Sequence, residues 1–177
     1  MSGIVNSTGA VSGIVGTTVG RNIKNAVIFA LNGDESTSAS TVALTDWTKH
    51  TAENIGELGT FADPSSGIFT FPSTGYWYCH ARLSAWTFHA NGDTTCEVQI
   101  EGTDDNSTYT RIAYGRAPSA TDGSYYRGGG SVSVIVDITN VTNDKVKFTY
   151  SSIDTGGYLG GGASNGCSIL FIRLGDT

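Results

Sequence analysis

The longest regular pattern in the chain is a strict alternation from Tyr76 to Phe88. Tyr76, Tyr78, His80, Arg82, Ser84, Trp86 and Phe88 fall on one side, and Trp77, Cys79, Ala81, Leu83, Ala85 and Thr87 on the other. A period of two is the repeat of a β-strand. The second set is the more uniformly apolar, so it is the predicted core face. Shorter apolar or alternating runs read as further strands: Ala26–Leu31, Thr41–Thr48, Ile68–Phe71, Cys96–Glu101, Tyr109–Tyr114, Ser131–Val136, Lys145–Tyr150 and Cys167–Leu174. The last is dense enough in apolar residues to suit the centre of a sheet. Thr51–Gly59 reads as no more than a short helical turn, because Gly56 and Gly59 interrupt it. Asn91-Gly92-Asp93 is a hairpin signal. Two long segments, Ala117–Gly130 and Ile153–Asn165, read as glycine-rich loops. Strands at this spacing describe a sandwich or barrel of roughly eight to ten strands.

Residues 1–25 differ from the rest. The tetrapeptide Ser-Gly-Ile-Val occurs at Ser2–Val5 and again at Ser12–Val15, and no charge precedes Arg21. Ile4, Val5, Ile14 and Val15 lead its few large apolar side chains. Ordering a residue costs about 1–2 kcal/mol, more than this segment recovers by itself. It is therefore either a flexible leader or an extended arm that adds as a strand to another surface. The strand-rich domain proper is expected over residues 26–177.

Composition narrows the function. Ten Lys and Arg against sixteen Asp and Glu give a net charge of −6, with the basic residues scattered. A nucleic-acid partner is not expected, because phosphate binding needs clustered cations. No segment approaches the 18 apolar residues of a membrane-spanning helix, and no secretion signal opens the chain. Cys79, Cys96 and Cys167 are far apart and form no C-x-x-C, so buried free thiols are expected. G-x-S-x-G, H-E-x-x-H and phosphate-loop motifs are absent, so no catalytic residue, cofactor or enzyme activity is expected. His80 and Cys79 point to opposite faces of one strand and cannot share a metal. Asp104 and Asp105 are the remaining calcium candidates, although they lack the spacing of a calcium loop.

The stretch Phe61–Tyr78, FADPSSGIFTFPSTGYWY, carries a resemblance. Phe61, Pro64, Gly67, Phe69, Pro72, Gly75, Tyr76 and Tyr78 resemble the signature of the globular head of complement's first component, whose fold the tumour-necrosis-factor superfamily shares. AVIFAL, the segment around Asp144-Lys145-Val146, and GCSILFIRL resemble that fold's first, penultimate and closing strands. The resemblance implies an antiparallel TNF-like jelly roll of ten strands that assembles as a homotrimer. It implies that Tyr76, Tyr78, Trp86 and Phe88 pack at the subunit interface. No collagenous Gly-X-Y run precedes the domain. A small acidic trimer with a Gly/β-branched arm is similar to accessory virion proteins of tailed bacteriophages. The expected role is then capsid decoration or a head fibre, with the arm bound to the major capsid protein or another virion protein. The alternative is the receptor- or glycan-binding knob of a tail fibre. In that case Tyr125, Tyr126, Arg127 and Tyr158, set among glycines and serines, supply adaptable outer-loop contacts to a host-surface glycan.

Overall fold

A computed structural model of the chain describes residues 23–36, 41–50, 55–88, 95–118, 120–122, 125–151, 158–160 and 166–177. Thirteen strands occur among them: β1 Ala26–Leu31, β2 Glu35–Ser36, β3 Val42–Ala43, β4 Trp47–Lys49, β5 Ile68–Thr70, β6 Gly75–Phe88, β7 Thr95–Thr103, β8 Thr110–Pro118, β9 Ala120–Asp122, β10 Tyr125–Ile138, β11 Lys145–Ser151, β12 Tyr158–Leu159 and β13 Ser168–Gly175. No helix occurs among the described residues. The helical turn expected at Thr51–Gly59 is absent from its described part, where Leu58 instead makes an antiparallel bridge to Ala26. The anchoring arm, with Ile4, Val5, Ile14 and Val15, lies outside the described residues, as does the Asn91–Asp93 hairpin turn.

The strands form two antiparallel sheets packed face to face. The larger runs β4-β1-β13-β6 and continues through β12 to β2 along the upper half of β6, while β10 pairs along the other side of β6 and carries β9. The smaller runs β3-β11-β7-β8, with β5 also on β11. β13 sits between β1 and β6, the central position its apolar density predicts. The segment Thr41–Thr48 is not one strand. Val42–Ala43 joins the smaller sheet and Trp47–Lys49 the larger, so the chain changes sheets at Leu44. There Leu44 N donates to Phe148 O and Trp47 Nε1 donates to Leu44 O, both at 2.9 Å.

The alternation of β6 sorts as expected. Trp77, Cys79, Ala81 and Leu83 are buried between the sheets. They join Phe29, Phe61, Phe69, Phe71, Phe148 and Phe171 in one core. Phe171 is its hub: its ring lies 5.1 Å from Phe61 and Phe69, 5.6 Å from Phe71, 6.0 Å from Phe148 and 6.3 Å from Phe29. The aromatic run from Phe61 is therefore mainly core, and only its even members, Tyr76 and Tyr78, turn outward. Pro72 ends the approach to β6, since it has no N–H to give a ladder. Gly75 begins β6 at φ +128°, where a Cβ would collide with the Gly175 carbonyl, so only glycine lets β6 and β13 meet there.

The described part of the loop expected at Ala117–Gly130 is instead strand. β8 continues to Pro118, β9 and β10 form a hairpin, and Tyr125, Tyr126 and Arg127 pair with Phe88, Thr87 and Trp86. Glycines at 128–130 concealed this strand in the sequence. They sit within a ladder already held by fourteen register pairs between β10 and β6. Tyr158 likewise lies in strand β12.

Candidate functional site

The outward face of the larger sheet is built in rows by strand register. One row runs Ala26, Ile172, Tyr78 and Ile135 across β1, β13, β6 and β10. The next runs Ile28, Leu170, His80 and Ser133. Tyr76 and Asp137 pair beside the first row. Ile135 is 59% exposed and Tyr76 43%, while Tyr78 and His80 are half-buried by their neighbours. The Tyr78 and His80 rings stack at 6.3 Å and 7°. His80 Nδ1 is shut away from the surface without a hydrogen-bond partner. A face of this kind, with apolar residues from four strands and no further strand packed over it among the described residues, marks an interaction surface.

Tyr76 and Tyr78, expected at a subunit interface, lie on this face. The backbones of Trp86 and Phe88 follow on the same strand, with their side chains outside the described residues. Register puts Trp86 level with both Arg127 and Tyr158, and Phe88 level with Tyr125. Residues expected to serve two surfaces thus share one end of one sheet. Tyr126 pairs with Thr87 and belongs to the opposite register. That end lies some ten residues along β6 from Tyr78, about 33 Å at strand rise.

A second feature lies at the side of the sandwich. The two sheets touch where Gly115 of β8 meets the Ser131 carbonyl of β10, a contact any Cβ would forbid. Beyond it the sheets part into a groove of about 700 Å3, lined by Ile112, Val134, Val136 and Ile138, with Thr103 and Lys145 toward its end. The β7–β8 register slips opposite Ile100/Glu101 and leaves Ile112 unpaired over Gly102.

The acidic candidates resolve differently. Asp105 Oδ1 accepts hydrogen bonds from Thr103 Oγ1 at 2.7 Å, Ser107 N at 2.8 Å and Thr108 N at 2.7 Å. The backbone of Thr108, then Thr103 and Ser107, hold this carboxyl far below the usual carboxylate range. It closes a turn, and no group of three metal-ligating side chains occurs among the described residues. Glu97 and Glu101, each two residues from Gln99 in the alternation, share the outer face of the smaller sheet, opposite the buried Val98 and Ile100. Glu97 is 2% exposed and accepts from Arg116 Nε at 3.0 Å and Nη2 at 2.5 Å, Arg111 at 3.2 Å, Gln99 at 2.6 Å and Ser151 at 3.2 Å. Burial alone would raise its pKa, but hydrogen bonds from Arg116 and Gln99, the Arg116 charge and the Ser151 hydroxyl more than offset that and hold it low. Glu101 pairs with Lys147 at 3.0 Å and accepts from Thr149 at 3.2 Å. Both oxygens of Glu97 are taken up, so it is a strut across three strands rather than a proton carrier. The sequence reveals the shared face of the two glutamates but not the arginines, which arrive from β8. Cys79 and Cys167 are buried free thiols, and burial raises both, Cys167 to about 11.

No protein-family model matches the sequence, and no curated protein matches it. Solved structures match its fold. The Eiger TNF of S. frugiperda superposes with a TM-score of 0.65 at 12% identity, over 88% of this chain and 96% of that one. Murine APRIL, in a crystal at pH 8.5, superposes with a TM-score of 0.56 at 10% identity, over 84% of this chain and 98% of that one. The fold is the antiparallel, TNF-like jelly roll that the Phe61–Tyr78 stretch resembles.

Proposed function

We propose that this chain is a non-enzymatic structural protein that acts as a homotrimer and decorates a bacteriophage capsid or forms its head fibre. The observation that carries the reading is the outward face of the larger sheet. Ile135 in its rows is exposed and Ile28, Leu170, Ile172 and Tyr78 are only half-buried among the described residues, and His80 Nδ1 beside them lacks a partner. Burying such a face against further copies removes apolar area from water at about 25 cal/mol per Å2. The TNF-like fold favours three copies as the number. The polarity of the sheet supports a mounted assembly. β1 starts at the end holding Tyr76 and Ile138, so the arm leaves there, while Phe88, Tyr125 and Tyr158 lie toward the opposite end.

That far end supports a second reading, a receptor- or glycan-binding knob, because aromatic residues and Arg127 share its rows. One experiment separates the two. The full-length chain is weighed in solution, then mixed with phage heads stripped of accessory proteins and, separately, with host cells. A trimer that binds heads in a symmetric copy number supports decoration. A trimer that ignores heads and binds cells transfers the reading to the knob. A monomer at micromolar concentration overturns the trimer.

A further inference from the structure

We infer that the outer face of the smaller sheet carries a binding site for an acidic polysaccharide, in which Tyr114 stacks on a sugar ring and Arg111 and Arg116 hold its carboxylate. The site is built along β8. Arg116, Tyr114 and Arg111 are level with Glu97, Gln99 and Glu101 of β7 and share their outward face. Tyr114 is 57% exposed, and the side chains of Arg111 and Arg116 are 50% and 56% exposed. No acidic residue occurs in β8. This face points away from the one proposed for subunit contact, and the inference does not rest on the trimer or the phage reading.

Two features of the backbone bring the three side chains together. Gly115 lies against the Ser131 carbonyl of β10 with no room for a Cβ. That contact turns the inner side of β8 onto the other sheet, and alternation turns Tyr114 and Arg116 outward on either side of it. Arg111 is three residues from Tyr114, so a regular strand would turn it inward. The register slip opposite Ile100/Glu101 adds Ile112 as an extra residue and returns Arg111 to the outer face. There its guanidinium carbon lies 4.6 Å from the centre of the Tyr114 ring. Bulges of this kind re-aim side chains beside functional sites.

Charge selects the ligand. Arg111 Nη1 donates to Glu97 Oε1, and Arg116 Nε and Nη2 donate to Glu97 Oε2. A guanidinium has five N–H donors, so both arginines keep donors for a ligand. Glu97 is buried beneath them, so water there meets two cations and no carboxylate. Lys49 and Arg173 instead pair with carboxylates that share the surface, Glu57 and Asp176. In a chain of net charge −6, the β8 row is a local positive surface that complements an anion. A carboxylate accepts two parallel N–H bonds from the planar guanidinium fork. An exposed aromatic ring offers the C–H bonds of a pyranose an apolar, electron-rich face. Tyr114 and Arg116 are two residues apart on one strand, about 7 Å, a distance that one uronic-acid unit spans from ring to bound carboxylate. A nucleic acid fits less well, because it needs a run of cations along its phosphates.

Calorimetry of the full-length chain with oligogalacturonate tests this, beside the methyl ester of the same oligomer and a single-stranded oligonucleotide. The acid should bind, and the ester about tenfold more weakly or less, because it lacks the charge that the guanidinium fork reads. Salt at about 1 M, where charges are screened within about 3 Å, should weaken binding of the acid. Tyr114→Ala removes none of the bonds to Glu97 and should lower affinity for the acid about tenfold. Arg116→Lys keeps a cation over Glu97 but loses the fork, and should lower it by a similar factor. The mass of both variants in solution should match the wild type. No binding of oligogalacturonate at millimolar concentration, equal binding of acid and ester, tighter binding of the oligonucleotide, or wild-type affinity in both variants overturns the proposal. A changed mass in Tyr114→Ala also overturns it, by assigning the row to contact between copies.

Discussion

At the residue scale, single side chains hold positions that their types alone do not reveal. Glu97 collects two arginines, a glutamine and a serine on the outer face of the smaller sheet. Glu97→Ala leaves the buried Gln99 and the half-buried Ser151 without that acceptor, while Arg111 and Arg116 are half-exposed and turn to water. The expected loss is about 1–3 kcal/mol in urea melts. Because the folded pKa of Glu97 is lowered, its contribution is fully present above about pH 5 and fades as pH falls below about 4, toward its folded pKa. The gap between wild type and Glu97→Gln should narrow over that window; a constant gap would show that the pairing contributes nothing. Gly75→Ala should cost about 2 kcal/mol or more, since it combines a positive φ with a collision at the Gly175 carbonyl. Cys79 and Cys167 are buried thiols with raised pKa, so neither should react with a thiol reagent until the protein unfolds.

At the element scale, Phe171→Ala tests the core. It removes the ring that five other phenylalanines touch, at a cost of about 3–5 kcal/mol, readable as a large fall in Tm. The strands that were legible in the sequence are those with one apolar face. AVIFAL, the Tyr76–Phe88 alternation and the closing run matched β1, β6 and β13 to within a residue or so. The opening residues of β10 were not legible. Gly128–Gly130 have no side chains to pattern, and Tyr125–Arg127 owe their strand form to pairing with β6, which is distant in sequence. Val42–Ala43 and Trp47–Lys49 look like one alternating strand, but Leu44 and Trp47, which an alternation puts on opposite faces, are both buried because the chain changes sheets between them. Of the candidate surface, Tyr76 and Tyr78 could be read from one strand. Ile28, Ile135, Leu170 and Ile172 complete it only through register between four strands, which no local pattern encodes. The edge groove depends on Gly115 and on a one-residue slip between β7 and β8, and neither leaves a periodic trace.

At the scale of the whole molecule, Tyr78→Asp places a charge in the middle of the uncovered face while leaving the core untouched. The expected result is a folded chain of monomer mass in sedimentation, against a trimer for the wild type. A trimer of unchanged stability would put the subunit contact elsewhere. On the proposed capsid-decorating role, removing residues 1–20 should leave a trimer intact and abolish binding to phage heads. The position of β13 has a consequence for how the molecule is made. It is the last strand in chain order, yet it is the one that joins β1 to β6. During translation, Ala26–Leu31 and Gly75–Phe88 both emerge long before their shared neighbour. The larger sheet cannot close until Ser168–Gly175 has left the ribosome, and contacts of such long range are slow to form. A message cut short before Ser168 yields a chain without a centre, which never presents the outer face in register. Any contact made through that face is thus open only to chains that have added Ser168–Gly175, and this strand acts as a proofreader of synthesis.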